Sequence, residues 1–193
     1  MKLLWKAFLR SIGWDTSQRF PYHHLKKYIV IVAPHTSNWD FVIGLAYRNS
    51  LDMNYVRFLG KAELFKAPLG WVFRAFGGIP VDRSANHNLV DTVAELFNKH
   101  QSFAIAIAPE GTRKKVEKLK TGFYYIAAKA RVPIIMVGLD YKHKTVRCSE
   151  PLYPTDHLED FQTIYTFYRA IEGKYPELGL KDMGRNVEIP NAN

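Results

Sequence analysis

In the stretch Ala33-Pro34-His35-Thr36-Ser37-Asn38-Trp39-Asp40, a histidine precedes an aspartate by five positions. An imidazole that donates a hydrogen bond from one ring nitrogen to a carboxylate keeps its other nitrogen able to take a proton from a hydroxyl or an amine. His35 and Asp40 are therefore a candidate base and its orienting acid. By itself the spacing also describes an aspartate at a helix N-terminus beside a loop histidine. A second cluster, Glu110-Gly111-Thr112-Arg113, continues into Lys114-Lys115. Gly111 permits backbone geometry that other residues resist, and the Arg113 fork of donors suits phosphate. A third stretch, Gly77-Gly78-Ile79-Pro80-Val81-Asp82-Arg83, offers Arg83 as another phosphate ligand. Lys61 and Lys120 lie close to these motifs in sequence and are candidate contacts at a pocket rim. Glu110 reads as shaping its loop or hydrogen-bonding a substrate, not as a base.

Other candidates are weaker. His23-His24 are adjacent and diverge, and the chain has no cluster with metal-ligand spacing. His87, His100, His143 and His157 lie on polar stretches and read as solvated. Ser37 has no Gly-x-Ser-x-Gly elbow around it. Cys148 falls on an expected strand and reads as an inert thiol.

The elements that must position these residues follow from periodicity. Tyr28 to Ala33 and Ser102 to Ala108 are apolar runs that read as buried strands, each ending at a motif. Asn38 to Asn49 reads as a helix capped by Ser37 or Asn38, with Asp40 in its first turn. His35 then stands at a strand's carboxyl end, where ligands bind in open α/β sheets. A strand is expected over 54 to 59, a helix over 63 to 76 bent or started by Pro68, and a helix over 86 to 100 capped by Ser84 or Asn86. A short helix over 122 to 130, a strand over 133 to 139, an edge strand over 144 to 148 and a helix over 158 to 171 complete the pattern. From Pro176 onward the tail lacks periodicity. Alternating strands and helices predict an α/β fold, a mostly parallel sheet with helices on both faces.

With these residues the chain resembles the glycerolipid acyltransferase superfamily, particularly the bacterial 1-acylglycerol-3-phosphate (lysophosphatidic acid) acyltransferases. The His-x4-Asp motif falls on His35 and Asp40. A Gly-x-Ile-x-x-x-Arg pattern falls on Gly77 or Gly78, Ile79 and Arg83. Glu-Gly-Thr-Arg falls on Glu110 to Arg113, and an apolar Val-Pro-Ile segment on Val132 to Val137. The motifs run from residue 34 to 137 in the family's order. Two departures stand out: Pro34 where many members have Asn, and Lys114-Lys115 where many continue with Ser and an acid. The resemblance implies transfer of an acyl group from acyl-CoA or acyl-carrier protein to the hydroxyl of a lysophospholipid. His35 and Asp40 would be catalytic, with Arg83, Glu110, Gly111, Thr112, Arg113, Lys61 and Lys120 holding substrate. Backbone amides near Gly111 or Thr112 would serve the oxyanion, with no metal or other cofactor. A lyso-aminolipid or glycerol-3-phosphate is the alternative acceptor.

Composition bounds the rest. The 193 residues suit one domain and carry 27 Lys and Arg against 18 Asp and Glu, a net charge of +9. That balance favours anionic partners, membrane lipids or nucleic acid among them. The rival to an enzyme is a basic binding module for anionic lipid or nucleic acid, yet no Walker loop, RNA-recognition signature or zinc finger appears, and no nucleic acid is expected as a partner. One cysteine excludes an internal disulfide. No apolar run approaches the ~20 residues that span a bilayer. At the N-terminus Lys2, Lys6 and Arg10 recur every four residues among Leu4, Trp5, Phe8, Leu9 and Ile12. Such an amphipathic helix lies in a membrane interface, packs on the body, or does both, with Trp5 and Phe8 at the bilayer. The expected layout is a membrane-associating helix over 1–14 and one acyltransferase domain over 15–193, peripheral on the cytoplasmic side of the cell membrane.

Overall fold

The computed structural model describes residues 1–66, 68, 70–81 and 86–183, without the side chains of 86–88. In chain order it contains α1 (Lys2–Ser11), β1 (Lys27–Ala33), α2 (Trp39–Ser50) and β2 (Val56–Lys61). A 3-10 turn (Ala62–Phe65), α3 (Gly70–Ala75), β3 (Gly78–Val81), α4 (Asn86–Lys99) and β4 (Phe103–Ile107) follow. The chain then forms α5 (Gly122–Ala130), β5 (Ile134–Asp140), β6 (Thr145–Cys148), α6 (His157–Arg169) and a last 3-10 turn (Pro176–Leu178). The strands make one sheet in the order β3-β2-β4-β1-β5-β6, parallel throughout except for the antiparallel edge β6. The expected α/β class and mostly parallel sheet are what the chain adopts.

Strand β1 is apolar on both faces because both are covered, as parallel sheets require. Ile29, Ile31 and Ala33 pack with Val93 and Phe97 of α4, Phe123 and Ala127 of α5, and Phe161 and Tyr168 of α6. Tyr28 and Val30 face the other way, against Phe20, Tyr22 and Met53. On that same face Val32 joins Ile43 and Tyr47 of α2 and Leu9 of α1. Each fully buried isoleucine of the sheet contributes roughly 1.5–3 kcal/mol through removal from water. The helix after β1 and the helix after the neighbouring β4 thus lie on opposite faces. Between diverging connections of this kind a crevice opens at the strands' carboxyl ends.

The structure revises several expectations. Gly78–Val81 is a strand, which its four residues and Pro80 conceal; it occupies the sheet edge, where a proline is tolerated. The expected helix over 63 to 76 is instead a 3-10 turn and the six-residue α3. At Gly70, where α3 begins, a Cβ would come within 2.0 Å of the Phe65 carbonyl oxygen, so the chain folds back on the turn there. Trp5 and Phe8 of α1 pack on the body beside buried Leu9, while Met1, Leu3 and Leu4 stay exposed. Of the histidines expected in solvent, His100 and His143 are exposed as expected and also have partners, whereas His157 is half-buried. His143 meets the buried Asp140 at 2.8 Å, His157 stacks on Phe161, and His100 stacks on Phe103. The side chain of His87 and the capping candidates Ser84 and Asn86 lie outside what is described. The α2 N-cap is Asn38, whose side chain makes no capping bond; the Ser37 hydroxyl accepts from the Trp39 amide at 3.2 Å. Among the described residues no helix is long and apolar enough to cross a membrane.

Candidate active site

Two adjacent strand ends build the site. Register pairs Ile31 of β1 with Ile107 of β4, so the loops that follow, at His35 and at Glu110, leave the sheet side by side. After β1 the Ala33-Pro34 peptide is cis and the chain turns toward α2. Asp40, in the first turn of α2, reaches back and closes that turn. Its Oδ2 accepts the Thr36 and Ser37 amides, each at 2.7 Å, and its Oδ1 accepts the Tyr141 hydroxyl at 2.7 Å. The carboxylate is 3% exposed, so these charge-assisted bonds replace its lost hydration. His35 Nδ1 stands 3.3 Å from Asp40 Oδ2, with the imidazole side chain 23% exposed. The second nitrogen, Nε2, is the one Asp40 does not engage.

Glu110 holds the same loop from the other side: its Oε2 accepts the His35 amide at 2.7 Å. Burial pushes the Glu110 carboxyl up to about 8; the His35 amide opposes that shift and the Asp40 charge adds to it. Near neutral pH, then, Glu110 is mostly uncharged. Residue 111 has φ +67°, a left-handed conformation that favours glycine. Its amide donates to Ala108 O at 3.1 Å and so closes the turn, which argues against it as an oxyanion donor. Lys120 lies directly over this glycine, where a Cβ would meet its Nζ at 3.0 Å. Thr112 and Arg113 are exposed on the same loop.

The sequence candidates therefore divide. His35, Asp40, Glu110, Gly111 and Lys120 come together at the ends of β1 and β4. Lys61 ends β2, one strand beyond β4 from the dyad, across from Val81 of β3. Arg83 lies outside the described residues. Tyr141 and the segment after α6 were not anticipated. Tyr175 donates its amide to Thr36 Oγ1 at 3.2 Å, and a Cβ on Gly173 would strike Thr36 and Pro34, so that segment presses on the loop from above. Tyr141 carried one readable signal: it follows the β5 run at its carboxyl end, and β5 neighbours β1. Cys148 sits on β6, farther still from His35. Among the described residues no group of three or more His, Cys, Asp or Glu is placed to hold a metal ion.

A mostly parallel α/β sheet thus sets the His-x4-Asp turn beside the Glu-Gly-Thr-Arg loop at the ends of β1 and β4, the two motifs that carry the resemblance to acyltransferases. A sequence profile described as Acyltransferase matches residues 13–140, about two thirds of the chain, and the chain belongs to that family. Among solved structures it is similar to the crystal structure of the 1-acyl-sn-glycerophosphate (LPA) acyltransferase, PlsC, from Thermotoga maritima. That likeness has a TM-score of 0.58 at 20% identity and covers 84% of this chain and 72% of that one. No curated protein sequence matches significantly.

Proposed function

We propose that this enzyme moves a fatty acyl group from an acyl thioester, on coenzyme A or acyl-carrier protein, to the free hydroxyl of 1-acylglycerol-3-phosphate, giving phosphatidic acid. The observation that carries the reading is the pair itself: a half-buried imidazole 3.3 Å from a carboxylate whose other bonds fix its plane. His35 Nε2 takes the hydroxyl proton while the oxygen attacks the thioester carbonyl. Asp40 stabilises the imidazolium that results. Collapse of the tetrahedral intermediate expels the thiolate, which recovers the proton from His35. Arg83 and Arg113, helped by Lys61 and Lys120, hold the phosphate and so bring the hydroxyl to His35.

The acceptor is a membrane lipid, and the surface suits a peripheral enzyme. Leu3 and Leu4 of α1, Trp39 and Phe41 of α2, Leu64 of the 3-10 turn and Trp71 of α3 are large apolar side chains left in solvent. Their elements cover one face of the sheet, α1 against α2 and Phe41 of α2 against Phe73 of α3. Lys2, Lys6, Arg10, Lys61 and Lys66 are interspersed among them. Apolar groups among cations suit an anionic bilayer surface. On this reading α1 binds the body and the lipid together, on the cytoplasmic leaflet.

The test is turnover: purified protein, acyl-CoA and vesicles holding 1-acylglycerol-3-phosphate, with thiol release and product mass followed together. His35→Ala is expected to abolish transfer in folded protein; near-normal activity in it sinks the mechanism. Arg83→Ala is expected to raise the KM of a phosphate-bearing acceptor. An unchanged KM points instead to an acceptor such as a lyso-aminolipid.

A further inference from the structure

Asp40 has two carboxylate oxygens, and His35 and the loop amides engage only one of them. The other is met from far away in the chain, by the Tyr141 hydroxyl at 2.7 Å, 101 residues downstream. Tyr141 stands just past the end of β5, immediately beyond the family-matched residues 13–140. Its own placement is determined on three sides. Its amide donates to Glu172 O at 2.9 Å. Its ring takes the edge of Trp14 at 5.0 Å with planes 86° apart, and Trp14 in turn lies 5.9 Å from Tyr47 of α2. The stretch that carries Trp14 is tied to the turn after Tyr141: Asp15 donates its amide to Lys144 O at 2.8 Å, and Lys144 Nζ donates to Ile12 O at 3.2 Å. Tyr47 also donates its hydroxyl to Asp15 O.

We infer that Tyr141 is a positioning residue for the proton-transfer pair, fixing the Asp40 carboxylate by its second oxygen, and that the joint between α1 and the body holds Tyr141 in place through Trp14. A carboxylate gripped by one oxygen can swing about its Cβ–Cγ bond; one gripped by both presents a fixed edge to the imidazole. The tyrosine also spreads the Asp40 charge away from His35. Burial, and then the bond to Asp40, push the Tyr141 hydroxyl well above its ordinary value, so it stays a donor at every working pH. Other ionisable groups lie around the pair among the described residues. Glu110 bonds the His35 amide, Lys120 covers Gly111, Lys174 lies over the Trp39 ring at 5.1 Å, and Arg113 is exposed on the Glu110 loop. None of these shares an oxygen of Asp40 with Tyr141 in the bonds described.

The inference deepens the proposed acyl transfer and rests on it for its kinetic half. Tyr141→Phe keeps the ring on Trp14 and deletes only the hydroxyl. In that variant kcat is expected to fall about tenfold, within the range for lost outer partners of a reacting group, with both KM values within twofold of wild type. With its charge less dispersed, Asp40 then holds the imidazolium more tightly. The acid limb of the kcat/KM profile and the NMR titration midpoint of the His35 ring, assigned by its loss in His35→Ala, should both move to higher pH. The titration needs no substrate, so it still judges Tyr141 if wild-type protein turns over no lysolipid, a result that would defeat only the acyl-transfer reading. An unmoved midpoint overturns the inference whatever kcat does, and so does a kcat within twofold of an active wild type. Trp14→Leu, once shown to keep a native melting transition, should move the midpoint in the same direction by less. Wild-type titration in it overturns the part assigned to Trp14.

Discussion

Glu110 is 3% exposed, so ionising it means charging a carboxyl that water cannot solvate, and the nearby Asp40 charge adds a smaller penalty. The Glu110 carboxyl is therefore pushed up to about 8 in the folded protein, against 4.5 for an unperturbed group. The sign of the linkage follows. Between those values the folded state binds a proton that the unfolded chain has released, so stability is fullest below 4.5 and is lost as pH rises through about 8. The expected slope is up to about 1.4 kcal/mol per pH unit in that window. Glu110→Gln retains an oxygen for the His35 amide but does not titrate. Urea midpoints measured from pH 5 to 8 should fall for wild type and stay flatter for the variant; parallel curves would show that Glu110 is ionised in both states. Asp40 plays the opposite part. Asp40→Asn keeps the shape of the turn and an oxygen for the Thr36 and Ser37 amides, yet removes the charge opposite His35. Acyl transfer should fall by at least about 10³-fold, by analogy with the aspartate of a serine-protease triad, while the melting transition persists. Loss of less than tenfold would leave Asp40 as a loop brace only.

The loop between β4 and α5 shows how much of an element its sequence discloses. At Gly111 two independent constraints meet: a left-handed φ of +67° and the Lys120 side chain packed where a Cβ would go. Gly111→Ala should cost about 1–2 kcal/mol for the strained backbone and displace Lys120. Calorimetry would register the first effect, and a raised KM for the phosphate-bearing lysolipid the second. An unchanged KM alongside the stability loss would remove Lys120 from the substrate contacts. The glycine was legible as one that frees the backbone; the lysine over it was placed only by proximity in sequence. The same division runs through the fold. β1, β4, β5 and α5 were readable because buried β-branched runs and an apolar helical stripe are local signals. β3 was not, because four residues including a proline carry no period, and only pairing with β2 makes them a strand. The expected helix over 63 to 76 failed because close approach of Gly70 to Phe65 decides it, a contact no window of sequence contains. For the site, His35, Asp40 and Glu110 were visible as motifs. Tyr141 and Gly173 were not, because their partners lie at Asp40 and Thr36, across the whole length of the sheet connections.

On the proposed acyl transfer to a lysolipid, the molecule as a whole must present its crevice to a lipid while keeping its charged surface in water. Lys2 meets Asp52 just past the end of α2, and Trp14 meets Tyr141 beside Asp40, so α1 runs antiparallel to α2. Leu3 and Leu4 consequently lie at the end of this layer remote from His35, whereas Trp39 and Leu64 follow the carboxyl ends of β1 and β2 at the crevice. If the layer of α1, α2 and α3 lies flat on a bilayer, both ends touch it, and their contributions can be separated. Leu3→Ser with Leu4→Ser removes side chains 80% and 73% exposed and absent from the core, so the fold should be unaffected. Binding to vesicles rich in anionic lipid should weaken, by the order of 1 kcal/mol or more for two buried leucines, while turnover of a short-chain, water-soluble acceptor stays unchanged. Leu64→Ser with Trp71→Ser should weaken vesicle binding as well, and should also raise the apparent KM for acceptor delivered in vesicles, because these residues stand nearer the mouth. Raising the salt should loosen every variant in proportion to the cations engaged, given a net charge of +9. Should the α1 pair bind vesicles like wild type while the Leu64 and Trp71 pair does not, the membrane face contracts to the crevice rim. In that case α1 serves the enzyme solely through the joint at Trp14.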